Sequence, residues 1–158
     1  MISMSYEQAI KCEKWDVVLR HIDDGADPCH IDVKHGTPLI FKTEYHKRYD
    51  ITDRLMDVKM VDPNIFILAA RHSYNFSSLL SISVSNGDAG RVEKFLKHNP
   101  TPEILNAAFM SVSFDCDRQS TIKITSKLIA AGADINCRNQ NGETAYYMAA
   151  KSGNNKMI

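Results

Sequence analysis

The sequence predicts an all-helical protein made of repeated pairs of helices, and three observations support this. A Gly-Ala-Asp turn at 25–27 recurs at 132–134. A second motif follows each turn at a similar distance. Gly-Thr-Pro-Leu at 36–39 begins eleven residues after Gly25, and Gly-Glu-Thr-Ala at 142–145 begins ten residues after Gly132. Between the turns, as from Val92 to Asn99, apolar residues recur at the i, i+3, i+4 spacing of an amphipathic helix. Self-similarity at a fixed period is the signature of a repeat protein.

The repeat period is set by the turns that follow each apolar stripe. Asp62 lies 35 residues after Asp27, Asn99 follows 37 residues later, and Asp134 lies another 35 residues on. Each interval holds a turn, a small apolar helix, a short loop and a second helix, and such a repeat buries its apolar face only by stacking on its neighbours. We predict four complete repeats and one incomplete repeat, with bounds at about 5–31, 32–64, 65–99, 100–136 and 137–158.

Glycines mark the helix ends. Gly25 and Gly132 each follow an apolar stripe, where a chain leaving a helix takes a positive φ that glycine adopts at low cost. The second repeat departs from this pattern, because His46 to Asp50 replaces the expected glycine turn and the following helix, Ile51 to Met60, is out of register. We also expect insertions in the third and fourth repeats.

Threonine and proline mark the helix starts. Thr37 and Thr144 precede helices as hydroxyl N-caps, and Pro38 fits a first helical turn, where a backbone N–H has no partner in the helix. The run Thr101 to Glu103 repeats this signal in the fourth repeat.

The order G-x-T-P-L, A-A-x-x-G, V-x-x-L-L-x-x-G-A-D resembles the ankyrin repeat. The chain carries it most fully from Leu128 to Gly153, with Gly-Ala-Asp at 132–134, Asn-Gly-Glu-Thr at 141–144 and Ala-Ala-Lys-Ser-Gly at 149–153. The resemblance covers 1–158 in degenerate form. It implies an all-α ankyrin-repeat solenoid of four to five helix-turn-helix units with short hairpin loops.

Composition narrows the class of protein. Nineteen basic residues balance nineteen acidic ones, so no net field would gather nucleic acid. The N-terminus lacks the pattern of a signal peptide, and no apolar run approaches the about 20 residues of a membrane span. The four cysteines are widely spaced, as expected for free thiols in a reducing compartment. We expect a cytoplasmic, monomeric protein with no membrane span.

No motif in the sequence predicts chemistry. The densest cluster of possible metal ligands, from Cys29 to His35, falls on a predicted hairpin, and neither H-E-x-x-H nor C-x-x-C is present. We interpret Cys12 and Cys137 as packed thiols and Trp15 as a packing residue. No cofactor, metal site or catalytic residue is predicted, so this stretch of chain is not expected to be an enzyme.

The ankyrin resemblance implies that a partner protein binds along a concave surface of hairpin tips and inner helices. Aromatic side chains on an exposed helix face are typical anchors in such surfaces, which favours the tyrosines Tyr45, Tyr49, Tyr146 and Tyr147. The hairpin tips that the resemblance places there are Asp32, Lys34, His35, Arg138, Asn139, Gln140 and Asn141. The inner-helix positions are Lys42, Tyr45, Tyr146, Tyr147 and Lys151.

Three classes of function follow. The first is an interaction module, and its degenerate repeats and Asn/Lys/Ile/Ser-rich composition resemble ankyrin proteins that intracellular bacteria deliver into the cytoplasm of eukaryotic cells. The second is the substrate-recognition arm of an enzyme, because the last repeat stops before its second helix is complete and we expect a further domain beyond 158. The third is a structural spacer. Capture of a partner by 1–158 alone would favour the interaction module.

Overall fold

A computed structural model of the 158-residue chain describes residues 4–27, 31–32, 37–57, 78–112 and 118–153. Within these ranges the chain forms nine helices and one short two-stranded hairpin, which confirms the predicted all-α class. No helix among them combines the length and apolar character needed to cross a membrane. The chain divides into two compact units, an N-terminal unit of Met1–Asp62 and a C-terminal unit of Pro63–Ile158.

The N-terminal unit contains two helix pairs and the hairpin. Its elements are α1 (Tyr6–Lys11), α2 (Trp15–Asp23), β1 (Ile31–Asp32), β2 (Thr37–Pro38), α3 (Leu39–Tyr45) and α4 (Tyr49–Asp57). Helix α1 packs on α2, and α3 packs on α4. The strands are antiparallel, with Ile31 opposite Pro38 and Asp32 opposite Thr37. The hairpin therefore leads directly into α3.

The C-terminal unit contains two further pairs and a single described helix. Its elements are α5 (Leu79–Ser85), α6 (Ala89–Leu96), α7 (Pro102–Ser111), α8 (Arg118–Ala130) and α9 (Ala145–Lys151). Helix α7 contacts both α5 and α9, which makes an inner row, while α6 contacts α8 in an outer row. An antiparallel bridge between Arg138 and Thr144 closes a turn before α9, as the hairpin does before α3.

The first helix of a pair ends in a left-handed residue wherever the structure describes the following turn. These residues are Glu13 (φ 54°), Lys47 (φ 56°), Gly87 (φ 70°) and Gly153 (φ 72°). The residue that follows Glu13, Lys47 or Gly87 donates its amide N–H to the carbonyl oxygen of the residue five positions before it, over 2.9, 2.8 and 3.1 Å respectively. The second repeat thus keeps the turn that its sequence lacks, with Lys47 in the conformation that glycine adopts elsewhere.

The ends of α2 and α8 confirm the glycine prediction. Gly25 has a φ of 95° and Gly132 a φ of 101°. In both turns the residue after the glycine donates to a carbonyl of the last helical turn, Ala26 to His21 over 2.8 Å and Ala133 to Leu128 over 3.0 Å. The two helices therefore end in the same way, although they belong to different units.

Two of the predicted threonine caps lie at helix N-termini. The Thr144 hydroxyl accepts from the Tyr147 amide at the start of α9. Thr101 occupies the N-cap of α7, followed by Pro102 in the first turn, but its hydroxyl bonds to Glu103 and lowers the pKa of that carboxyl below its usual value. A threonine at the N-cap therefore does not always bond to the backbone of its helix, since its hydroxyl can bond to a side chain instead.

Two predicted helix starts are wrong. Thr37 is not the N-cap of α3 and Pro38 is not in its first turn, because both residues pair in β2 and the helix begins after Pro38, which is the N-cap. Helix α4 begins two residues before the predicted Ile51, and its predicted end at Met60 lies outside the described residues. Insertions are also predicted at 65–71 and 114–118, and of these residues only Arg118, which begins α8, is described.

Several small side chains are buried in the inner row of the C-terminal unit, beside larger apolar ones such as Phe109. Ala108 of α7 and Ala145 and Ala149 of α9 are fully buried, as are Ser81 and Ser83 of α5. Short side chains let helix backbones approach closely, and the serine hydroxyls can bond within their own helix, as Ser83 does to the Leu79 carbonyl over 3.1 Å. The alanines of α9 therefore let this helix pack closely against α7.

The left-handed turn after α5 predicts opposite effects on stability when Gly87 and Gly90 are replaced by alanine. Gly87→Ala adds a Cβ with only an ordinary 4.0 Å contact, but it must hold a φ of +70°, so we expect the free energy of unfolding to fall by about 1 kcal/mol. Gly90→Ala lies inside α6, where alanine is favoured by about 0.8–1 kcal/mol, so stability should rise. Urea unfolding measures both. If the free energy of unfolding rose in both variants or fell in both, the proposed need for a positive φ at Gly87 would be contradicted.

Candidate protein-binding surface

The structure describes most of the predicted binding residues. Lys34 and His35 lie outside the described ranges, and Asp32 is placed in β1 opposite Thr37. Lys42 and Tyr45 belong to α3 in the N-terminal unit. The others surround α9 in the C-terminal unit, and these are Arg138, Asn139, Gln140, Asn141, Tyr146, Tyr147 and Lys151.

Asn139 organises the turn before α9. Its Oδ1 accepts from the backbone amides of Asn141 and Glu143, both at 2.9 Å. Its Nδ2 donates to Glu143 Oε2 at 2.9 Å and lies 3.3 Å from Met148 Sδ. Because a half-buried amide with this many partners fixes the backbone around it, Asn139 supports the turn and leaves its neighbours to face solvent.

Glu143 joins that turn to α9. Its Oε1 lies 3.4 Å from Lys151 Nζ, in addition to the bond from Asn139. The Asn139 hydrogen bond is the main reason that the pKa of Glu143 lies below its usual range, and Lys151 lowers it further against the opposing effect of desolvation. Sequence reasoning missed Glu143. The sequence signal for its role was the position of Asn139 and Glu143 on either side of a tight turn that contains Gly142.

The two tyrosines of α9 differ in how they are held. Tyr146 is 38% exposed, and its ring packs edge-on against the buried Phe109 of α7, with centroids 6.4 Å apart. Tyr147 is 55% exposed, and Lys151 Nζ lies 6.0 Å from its ring centroid. Ala145 and Ala149 are buried on the side of the helix opposite Tyr147. The sequence prediction that both tyrosines are exposed is confirmed.

The tip of the turn is polar and exposed. The Arg138 Nη1 donates to the Gly142 carbonyl at 2.6 Å, which folds the arginine back over its own turn. Gln140 and Asn141 are exposed beside it. We define the α9 surface as the exposed members of this group, namely Arg138, Gln140, Asn141, Tyr146, Tyr147 and Lys151.

The predicted residues of α3 are less available than expected. The Lys42 Nζ donates to the Ile10 carbonyl at the end of α1 over 3.0 Å, so this lysine links two helices of the N-terminal unit. Tyr45 is exposed and packs edge-on against the His46 ring at 5.3 Å. Of the two, Tyr45 is the one that presents a surface to a partner.

The structure also shows how Trp15, Tyr49 and the two described cysteines are packed. Trp15 is buried beneath the Arg48 guanidinium, which confirms its packing role. Tyr49 begins α4 and is half-buried, so its predicted place on an exposed inner helix is wrong. Cys12 is exposed at the C-cap of α1, so its predicted packing is also wrong, whereas Cys137 is half-buried and burial raises the pKa of its thiol.

No protein-family model matches the sequence, and no curated protein matches it. Among the described residues, no group of three or more His, Cys, Asp and Glu side chains is arranged to hold a metal ion. Cys29, His30 and His35, which form the densest cluster in the sequence, lie outside those residues.

The network around Asn139 predicts a stability effect. Asn139→Ala removes the acceptor of two backbone amides and the donor to Glu143, so we expect the free energy of unfolding to fall by about 1–3 kcal/mol. The neighbouring Gln140 is exposed, and Gln140→Ala should change stability by less than about 0.5 kcal/mol. Thermal unfolding of both variants tests this, and equal losses would refute a special role for Asn139.

The same network predicts a titration. The pKa of Glu143 should lie below its usual 4.5 and rise in Asn139→Ala, with a smaller rise in Lys151→Ala. Since the folded pKa is lowered, the stability from ionised Glu143 is present above the usual value and is lost as the pH falls through the lowered pKa. Carboxyl carbon shifts in NMR measure it. An unchanged Glu143 pKa in Asn139→Ala would contradict the assignment.

Proposed function

We propose that this chain is an ankyrin-repeat protein that binds a partner protein through the α9 surface. Support for the family comes from sequence phrases that fall on recurring local structures: a hairpin or bridge before α3 and α9, paired helices, and left-handed residues at Lys47, Gly87 and Gly153. Repeat proteins of this type present adjacent tips and helices as binding surfaces.

The observation that carries the proposal is the exposed pair Tyr146 and Tyr147 on a helix whose other side is buried. Tyrosine and arginine are enriched among the residues that dominate binding energy at interfaces. Arg138 lies on the turn that leads into the same helix. The α9 surface therefore combines aromatic anchors with polar and charged residues at its edge, which is the anatomy of a protein interface.

Rigid support strengthens the proposal. Asn139 and Glu143 hold the turn through hydrogen bonds of 2.9 Å, and Phe109 packs against Tyr146. A surface that is ordered before binding loses less conformational entropy when a partner docks. In the N-terminal unit, the predicted residues Asp32, Lys34, His35 and Tyr45 are candidates for a separate contact with a partner.

We further propose that the protein acts in the cytoplasm, and that the partner is a eukaryotic protein. The compositional resemblance to ankyrin proteins delivered by intracellular bacteria supports this choice. A eukaryotic cell lysate is therefore the source in which the partner should be sought, with the chain acting as a monomer.

Affinity capture from such a lysate tests the proposal. The full chain is compared with a triple variant, Arg138→Ala/Tyr146→Ala/Tyr147→Ala, and with a control, Asp16→Ala/Arg20→Ala. The control removes an exposed ion pair on α2 that contributes little to stability. We expect one protein to be retained by the wild type and control and lost, by at least about tenfold, from the triple variant.

Circular dichroism and thermal unfolding must first show that all three proteins are folded. Equal capture by the triple variant would overturn the assignment to the α9 surface. Absence of any captured protein would contradict the proposed eukaryotic partner.

A further inference from the structure

The dipeptide Asn-Gly occurs at 86–87, at the end of α5, and at 141–142, in the turn before α9. Asparagine is chemically labile in proteins, because the nitrogen of the following peptide bond can attack its side-chain amide. A glycine in the following position hinders this attack least, since it has no Cβ. Each dipeptide is therefore a candidate for spontaneous modification, and its surroundings determine whether it reacts.

Asn86 is held at the end of a packed helix. It is the half-buried C-cap of α5, with helical φ and ψ of −74° and −9°, and its amide donates to the Ile82 carbonyl over 2.9 Å. A Cβ built on Gly87 would lie 4.0 Å from the Cβ of Ser120 in α8. Attack by the Gly87 nitrogen requires Asn86 to leave its helical conformation, which disrupts the short turn between α5 and α6.

Asn141 lies at the tip of an exposed turn. Both Asn141 and Gly142 are exposed, and a Cβ built on Gly142 would meet no described atom within 4 Å beyond its chain neighbours. The Asn141 side chain makes no hydrogen bond to the described part of the chain. The Gly142 amide donates to the Asn139 carbonyl over 2.9 Å, and this bond must break before attack. Opening an exposed tip costs much less than disturbing two packed helices, so Asn141 is the more reactive residue.

We propose that Asn141 is a self-modification site, which water converts to aspartate and isoaspartate without an enzyme. The Gly142 amide nitrogen gives its proton to solvent and bonds to the Asn141 Cγ, while the side-chain nitrogen takes up a proton and leaves as ammonia. The product is a cyclic imide. Water opens this ring at Cγ to give aspartate, or at the main-chain carbonyl carbon to give isoaspartate. Water is consumed and ammonia released, and no group is oxidised or reduced.

Isoaspartate in place of Asn141 loosens the turn. The Asn139 Oδ1 accepts from the backbone amides of Asn141 and Glu143, both at 2.9 Å. In isoaspartate the main chain passes through Cβ, which adds a carbon atom between these two donors. The two amides then no longer reach the same oxygen in their present geometry, so Asn139 loses part of its hold on the turn.

Both products also change the charge of the α9 surface. Each places a carboxylate in the same turn as Arg138, whose Nη1 donates to the Gly142 carbonyl at 2.6 Å. A charge added at an interface alters which partners are attracted to it. The modification therefore makes partner binding change with the age of the protein. This consequence rests on the proposed function, whereas the reaction itself does not.

Peptide mass spectrometry of the full chain, aged in mildly alkaline buffer, tests the reaction. We expect Asn141 to exchange its amide for a carboxylate at least about tenfold faster than Asn86, with isoaspartate among the products. The matched control is the same chain in urea, where both dipeptides lose their surroundings and should react at similar rates. An Asn141 that stays intact in the folded chain after it has reacted in urea would overturn the proposal, as would equal rates for the two residues in the folded chain.

Thermal unfolding of the aged protein tests the effect on the turn. The Tm of the wild type should fall as isoaspartate accumulates, whereas that of Asn141→Gln should stay constant, because the longer glutamine side chain forms the corresponding ring much less readily. An unchanged Tm in wild type that has formed isoaspartate would contradict the loosening of the turn. Neither measurement involves a partner, so failure here is distinguishable from failure of the capture experiment.

Discussion

The packing of three helix pairs, α1–α2, α3–α4 and α5–α6, depends on a chain reversal that is completed within three residues after the first helix. The reversal requires one residue at positive φ, and Glu13, Lys47, Gly87 and Gly153 occupy that place. Because the reversal is short, the two helices it joins lie side by side, and their apolar faces can only be buried against each other and against the next pair. Loss of the left-handed conformation would separate the helices and expose both faces.

This constraint also positions the α9 surface. The buried side of α9 consists of small residues, so Ala145 and Ala149 bring the helix close to α7 while Tyr146 and Tyr147 remain exposed. The turn before α9 is held by Asn139 independently of any partner. The residues proposed to bind a partner thus lie on elements whose order is set by packing and hydrogen bonding, which is what a preorganised interface requires.

The sequence predicts what depends on a residue's intrinsic preference and misses what depends on its neighbours. Gly25 and Gly132 were predictable because glycine has little competition at positive φ. Lys47 was not, because a cost of about 1–2 kcal/mol is small enough for helix packing to overcome. The role of Asn139 needed the turn in three dimensions, and Pro38 lost its predicted helical place to strand pairing. Ile22 and Ile129 both lie on apolar stripes that end at a glycine, yet only Ile22 is buried, a difference that depends on neighbouring helices.

Site-specific photocrosslinking tests the central claim most directly. A benzophenone amino acid at Tyr147, at the centre of the α9 surface, is compared with the same group at Asp16 on the exposed side of α2. In a eukaryotic lysate, the account predicts that the probe at 147 joins one protein covalently, that the probe at 16 does not, and that Arg138→Ala reduces the yield. The same crosslinked protein from both sites, or from neither, would contradict partner binding through α9.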